Sequence, residues 1–258
     1  MLKYFANTEN KPANILVGLK VRKPMKVRIR AIDPNKKGAC YIDRYMTIKD
    51  SQDFEIRLPQ SPKKLLILID SPDSSDRGQT ENSIRLTKLE KIKLNQYLPC
   101  LADEKTKIFI KLAKEFTENA GILSPGRYTS DNKKFIIDYL PVIVEKGKEL
   151  TTPARISNST GRMEISARYF RSMSIPMRMA ILLHEYSHFY MNEIQKDEIE
   201  ADLNALTIYL SMGYPVIEAH KAFLETFEKH PTGTNKERYT YLKTFIDNWD
   251  SMKENICK

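Results

Sequence analysis

The sequence predicts an α+β protein in two parts: an antiparallel β-sandwich or barrel over residues 1–100, then a mainly helical domain with a small sheet over residues 101–258. Three observations predict it. Up to about residue 95 hydropathy alternates with a period of two, as where Met25, Val27, Ile29 and Ala31 interleave with Lys26, Arg28 and Arg30; that pattern describes strands with one buried and one wet face. After Leu98-Pro99 the apolar spacing lengthens to that of amphipathic helices. Charge divides at the same place. Residues 1–100 hold 20 Lys/Arg against 11 Asp/Glu, a net +9, whereas residues 101–258 hold 22 of each, so the excess basicity belongs to the β part.

Strands are predicted at Asn14–Leu19, Met25–Ala31, Ala39–Ile48, Asp53–Leu58, Lys64–Asp70 and Ile84–Leu94, separated by turn formers such as Asp33-Pro34-Asn35 and Ser71-Pro72-Asp73. Roughly six or seven strands without a helix fit a small sandwich or barrel. Asp103 then caps a helix whose apolar stripe is Ile108, Leu112 and Phe116, ending at Gly121. Phe135–Tyr139 and Pro141–Glu145 read as extended, and Ala154–Ser157 and Arg162–Ser166 flank the hairpin signal Asn158-Ser159-Thr160-Gly161. Ser174 caps a helix with Pro176 in its first turn, running to about Met191. A second helix runs from Asp197 to Gly213. A third follows Tyr214-Pro215 and ends near His230-Pro231, and a fourth runs from Asn235 to Trp249.

Composition excludes several classes. The longest apolar candidate, Leu65–Ile69, is far short of the ~20 residues of a membrane helix. The start, MLKYFANTEN, has no apolar core of a secretory signal. Three widely spaced cysteines, Cys40, Cys100 and Cys257, form no CxxC and read as reduced thiols. The expected location is cytoplasmic, or host cytoplasm or virion for a viral chain.

The chemistry sits in the helix capped by Ser174, which carries His184-Glu185-Tyr186-Ser187-His188. Histidines at i and i+4 share one helical face about 6 Å apart, so both imidazoles reach one metal ion. Glu185 lies beside that face, placed to contact an activated water without being a ligand. The apolar run Ala180–Leu183 buries the helix. A catalytic zinc needs a third protein ligand. If the chain reverses near Glu193, His188 faces Glu198 and His184 faces Asp202. Glu198, Ala201, Asp202 and Ala205 share one face, whose alanines allow close approach, while Glu200 points away. Glu198 is therefore the expected third ligand and Asp202 the residue that orients His184. Glu200 or Glu193 would take the place of Glu198 for a different turn.

HExxH followed by Glu198-Ile199-Glu200-Ala201-Asp202 resembles the gluzincin-type zinc metallopeptidases, chiefly the HtpX and CAAX-prenyl-protease group with its minigluzincin relatives, and more loosely the ImmA/IrrE-like peptidases. The likeness spans about residues 103–250. It implies a zincin-like domain in which the first Glu of ExxxD binds Zn2+. It also implies a later His-Pro segment followed by Arg and Leu, which His230-Pro231, Arg238 and Leu242 resemble. The interval from His188 to Glu198 is shorter than in the membrane members, and no membrane span accompanies it; a soluble minimal catalytic domain is the form implied.

The expected activity is hydrolysis of peptide bonds in a protein or peptide substrate, with His184, His188 and Glu198 holding zinc and Glu185 as general base. His230, Tyr214, His220 and Arg238 are candidates to stabilise the oxyanion, His230 and Tyr214 ahead of the others, with Arg238 alternatively pairing with a site carboxylate. Met163, Glu164 and Ile165, just before the active helix, are expected to form the edge strand that binds extended substrate. The cationic face of Lys26, Arg28 and Arg30, with Arg22, Lys36 and Lys37 nearby, reads first as a solvated face, next as a protein-docking face, and last as a nucleic-acid contact. The alternative function is a structural or assembly component of a virus particle or other large complex that keeps the zincin fold with little or no turnover, since fold does not imply function. A third is a regulator that cleaves a repressor. An intact HExxH favours catalysis, because structural zinc has no use for Glu185.

Overall fold

The computed structural model describes residues 1–72, 83–224 and 233–253. The chain divides into two compact units, Met1–Asn95 and Gln96–Lys258.

The first unit contains β1 (Leu2–Asn7), β2 (Ala13–Val21), β3 (Met25–Ile32), β4 (Cys40–Ile48), β5 (Ser51–Leu58), β6 (Lys64–Asp70) and β7 (Ile84–Ile92). All pair antiparallel, in two separate sheets of order β1-β6-β3-β4 and β5-β2-β7 rather than one closed barrel. Period-two alternation decides the faces: Met25, Val27, Ile29 and Ala31 are buried while Lys26 is exposed. The cations of β3 are largely partnered across the sheet. Arg28 grips Asp43 with two hydrogen bonds of 2.8 and 2.7 Å, and Arg30 lies 3.2 Å from Asp70. Sequence reading omits β1. Among the described residues it pairs only with β6, its Leu2, Tyr4 and Ala6 are merely half-buried, and Phe5 is exposed with the Lys64 ammonium 4.1 Å from its ring centroid, so no clean alternation marks it.

The second unit opens with the short α1 (Leu98–Leu101) and then α2 (Glu104–Asn119). Asp103 caps α2 by accepting from the Thr106 N–H at 2.7 Å. The buried stripe is Phe109, Leu112, Ala113 and Phe116; Ile108 is only half-buried, a shift of one position from the expected stripe. Next come β8 (Gly126–Thr129), β9 (Ile136–Leu140), the hairpin β10 (Val144–Glu145) and β11 (Lys148–Glu149), then β12 (Ala154–Ile156) and β13 (Met163–Ser166). β8, β9, β12 and β13 form one sheet of order β12-β13-β9-β8, in which β13 and β9 run parallel. Ala154, Met163, Ile165, Ile137 and Tyr139 are buried from one face of it, in a core shared with α2 and the later helices. After α3 (Ala167–Phe170) follow α4 (Ile175–Tyr190), α5 (Glu198–Ser211), α6 (Val216–Ala219), a π-helical turn (His220–Leu224) and α7 (Gly233–Met252). Ser174 caps α4, and Asp197 caps α5 through 2.9 Å bonds from the Ile199 and Glu200 N–H groups. Gly213, at φ +93°, follows the end of α5.

No helix among the described residues is long and apolar enough to cross a membrane. Cys40 is a free thiol and Cys100 is disulfide-bonded, which corrects the reading of Cys100 as reduced.

One glycine is constrained twice. Gly161, in the β12–β13 connection, has φ +68°, and a Cβ there would meet the Tyr190 hydroxyl and approach Phe189 Cδ1 to 2.9 Å. Gly161→Ala is therefore expected to lower stability by about 1–3 kcal/mol through the backbone and the clash together. Unfolding in urea measures it, and an unchanged midpoint would contradict the packing described.

Candidate metal centre

The site is built on α4 and α5, which pack against one another with Ala201 and Ala205 fully buried between them. The i, i+4 spacing aims both histidines at one point, their Nε2 atoms 3.0 Å apart. From α5, the Glu198 carboxylate approaches to 3.4 Å from His184 Nε2 and 3.5 Å from His188 Nε2. Zinc–nitrogen and zinc–oxygen bonds of about 2.0–2.2 Å in tetrahedral geometry separate neighbouring ligand atoms by about 3.4 Å. A triangle of 3.0, 3.4 and 3.5 Å is thus one face of such a tetrahedron. These are the residues among those described that could jointly hold a metal ion.

The other ring nitrogens are occupied. His188 Nδ1 lies 2.7 Å from the Gln195 carbonyl, which only accepts, so Nδ1 donates and Nε2 is the nitrogen turned to the cluster. His184 Nδ1 lies 2.8 Å from Asp202 Oδ1, and the other oxygen of that buried carboxylate accepts from Arg238 Nε at 2.8 Å. Arg238 also reaches Glu198 at 3.2 Å. The site is thus a closed chain of hydrogen bonds with its lone pairs turned inward. Burial works against a charge on His184, but the Asp202 and Glu198 carboxylates outweigh it and hold the imidazole up at about 10. Hydrogen bonds from His184 and His188, helped by Arg238, hold Glu198 well below the ordinary carboxylate range. Glu185 goes the other way: burial pushes its carboxyl up against the pull of the two histidines, and the backbone N–H of Ile156 is turned toward it.

A cavity of about 240 Å3 opens beside this cluster, with apolar walls from Ile181, Phe223 and Pro153. Comparison with family models, with curated proteins and with solved structures returns no match. The geometry of the site alone carries the functional argument.

Not every expected residue is brought here. Tyr214 is buried and stacked on Tyr209 at 4.5 Å, away from the cavity lining, and His220 does not line it either. His230 lies outside the described residues. Glu200 accepts from the Glu193 and Ile194 N–H groups at 2.9 and 3.4 Å, so it closes the α4–α5 turn and does not face the histidines. Met163, Glu164 and Ile165 form no edge: β13 is paired on both sides, and β12 is the edge strand. Sequence reading missed the Gln195 carbonyl, because a backbone acceptor leaves no trace in residue type.

Asp202→Asn removes the charge that supports His184 and one partner of Arg238. Zinc affinity is expected to fall about 10- to 100-fold, read by competition with a chromophoric chelator. Unaltered affinity would remove Asp202 from the metal's support.

Proposed function

We propose that the chain is a zinc-dependent endopeptidase of gluzincin type, acting on protein or peptide substrates. The observation that carries this reading is the convergence of His184 Nε2, His188 Nε2 and the Glu198 carboxylate at 3.0–3.5 Å, with Glu185 lining the same cleft. Two imidazoles and one carboxylate with a fourth position left to the cleft is the donor set of catalytic rather than structural zinc. Zinc held there by His184, His188 and Glu198 would supply Lewis acidity for a water and for the scissile carbonyl. Glu185 takes the proton from the attacking water and passes it to the departing amine. Asp202 and the Gln195 carbonyl fix the imidazole tautomers, and Arg238 braces Glu198 and Asp202. The outer side of β12, which no strand covers among the described residues, would receive an extended substrate.

Incubation with a peptide pool tests the reading. New termini are expected, lost on chelation and restored by one equivalent of zinc per chain. A protein that takes up zinc at this site yet produces no new termini is not a peptidase.

A further inference from the structure

Across the sheet of the second unit four charged residues stand in register: Arg127 on β8, Asp138 on β9, Glu164 on β13 and Arg155 on β12. Arg127 Nε lies 2.7 Å from Asp138, Arg155 Nε lies 2.6 Å from Glu164, and Arg162 adds a second guanidinium to Asp138. The row borders a cavity of about 480 Å3 on the face opposite the buried Ala154, Ile165 and Ile137. It ends at an edge, because nothing pairs with the outer side of β12 among the described residues.

That edge has a definite polarity. The Pro153 carbonyl and the Ser157 N–H bond to β13, so alternation turns the backbone groups of Ala154 and Ile156 outward; of these the Ala154 carbonyl accepts from the Thr152 hydroxyl at 2.7 Å and the Ile156 N–H is turned toward Glu185. A peptide added antiparallel along this edge would place one residue opposite Arg155 in a non-hydrogen-bonded pair, where side chains approach most closely. That side chain would lie on the charged face and meet Arg155 first. Arg155 Nη1 is 3.3 Å from Glu145, more than half exposed on the β10–β11 hairpin, and Nη2 has no partner among the described residues.

We propose that Arg155 determines specificity by selecting an acidic side chain at the substrate position in register with it. The inference rests on the peptidase reading above. A carboxylate there meets the positive charge that ends the row, a fork-shaped donor whose Nε is already bonded to Glu164. A Lys or Arg would sit beside a like charge.

The test is a peptide series in which Glu, Gln or Lys is stepped through each position around a scissile bond, cleaved by the zinc-loaded full chain. At one position Glu is expected to exceed Lys in kcat/KM by about fivefold. Arg155→Gln should level that preference and Arg155→Glu invert it, read as the ratio of kcat/KM between the Glu and Lys peptides, while Arg155→Lys keeps its sign. No acidic preference at any position, or one that survives both Arg155→Gln and Arg155→Glu, overturns the proposal and leaves the peptidase standing. Failure of the wild type to cleave any peptide overturns both, and the two failures are thereby told apart.

Discussion

Glu185→Gln is expected to retain one zinc per chain and to lose peptide hydrolysis by about 10²- to 10⁴-fold. Glu185 makes no contact that holds the metal triangle: that geometry comes from His184, His188 and Glu198, braced by Asp202, Arg238 and the Gln195 carbonyl. The substitution keeps the shape of the side chain and removes only its capacity to accept a proton. Because burial raises the Glu185 carboxyl, the neutral amide also fits its surroundings, and folding should be little changed. Zinc content by elemental analysis, thermal unfolding and kcat on one cleaved peptide separate the possibilities. Hydrolysis undiminished in this variant would remove Glu185 as the base. Zinc lost along with activity would mean that the carboxylate belongs to the metal's support instead.

The pair of histidines is legible from spacing alone, since i and i+4 must share a face whatever surrounds the helix. Glu198 is nearly as legible, because a short reversal between two helices makes residues equidistant from the turn face each other, and Ala201 and Ala205 mark the close side. The placement of the edge strand was not. The strand that immediately precedes the histidine helix in sequence is β13, but a parallel partner, β9, reaches it from more than twenty residues earlier and covers its second side. Parallel pairing has no local turn to announce it. Tyr214 misled for a related reason: following the helix stop at Gly213, it reads as a loop residue near the site, yet its ring stacks on Tyr209 in the core. In the β unit the alternation of β3 is strong because one face is buried throughout. β1, at an edge, buries neither face fully and its hydropathy is correspondingly mute.

Arg178→Met should cost about 3–5 kcal/mol of stability, the largest structural effect expected in the second unit. Six residues before His184 on the same helix, Arg178 is fully buried, where sequence periodicity alone gives a charged residue a wet face. Its guanidinium donates to the Phe170 carbonyl at 2.7 Å, the Thr117 carbonyl at 2.7 Å and the Arg171 carbonyl at 3.1 Å. Those acceptors lie at the C-terminal ends of α2 and α3, where the last carbonyls lack partners within the helix and the dipole favours a cation. Methionine matches the length of the side chain but withdraws a donor from each of three carbonyls, of which that of Phe170 also accepts from the Met173 N–H at 3.1 Å and that of Arg171 is only part-buried; a buried carbonyl that loses its donor costs about 1–3 kcal/mol. Relief from burying the charge offsets part of that sum. Arg178→Lys keeps the charge but not the planar fork, and should lie between the two. Urea unfolding of the zinc-loaded and zinc-free chains gives the values, with zinc expected to restore stability in proportion to its binding, because α4 carries both Arg178 and the two histidines. A loss below about 1 kcal/mol for Arg178→Met would mean that water reaches these helix ends and that the histidine helix does not depend on Arg178 for its seat.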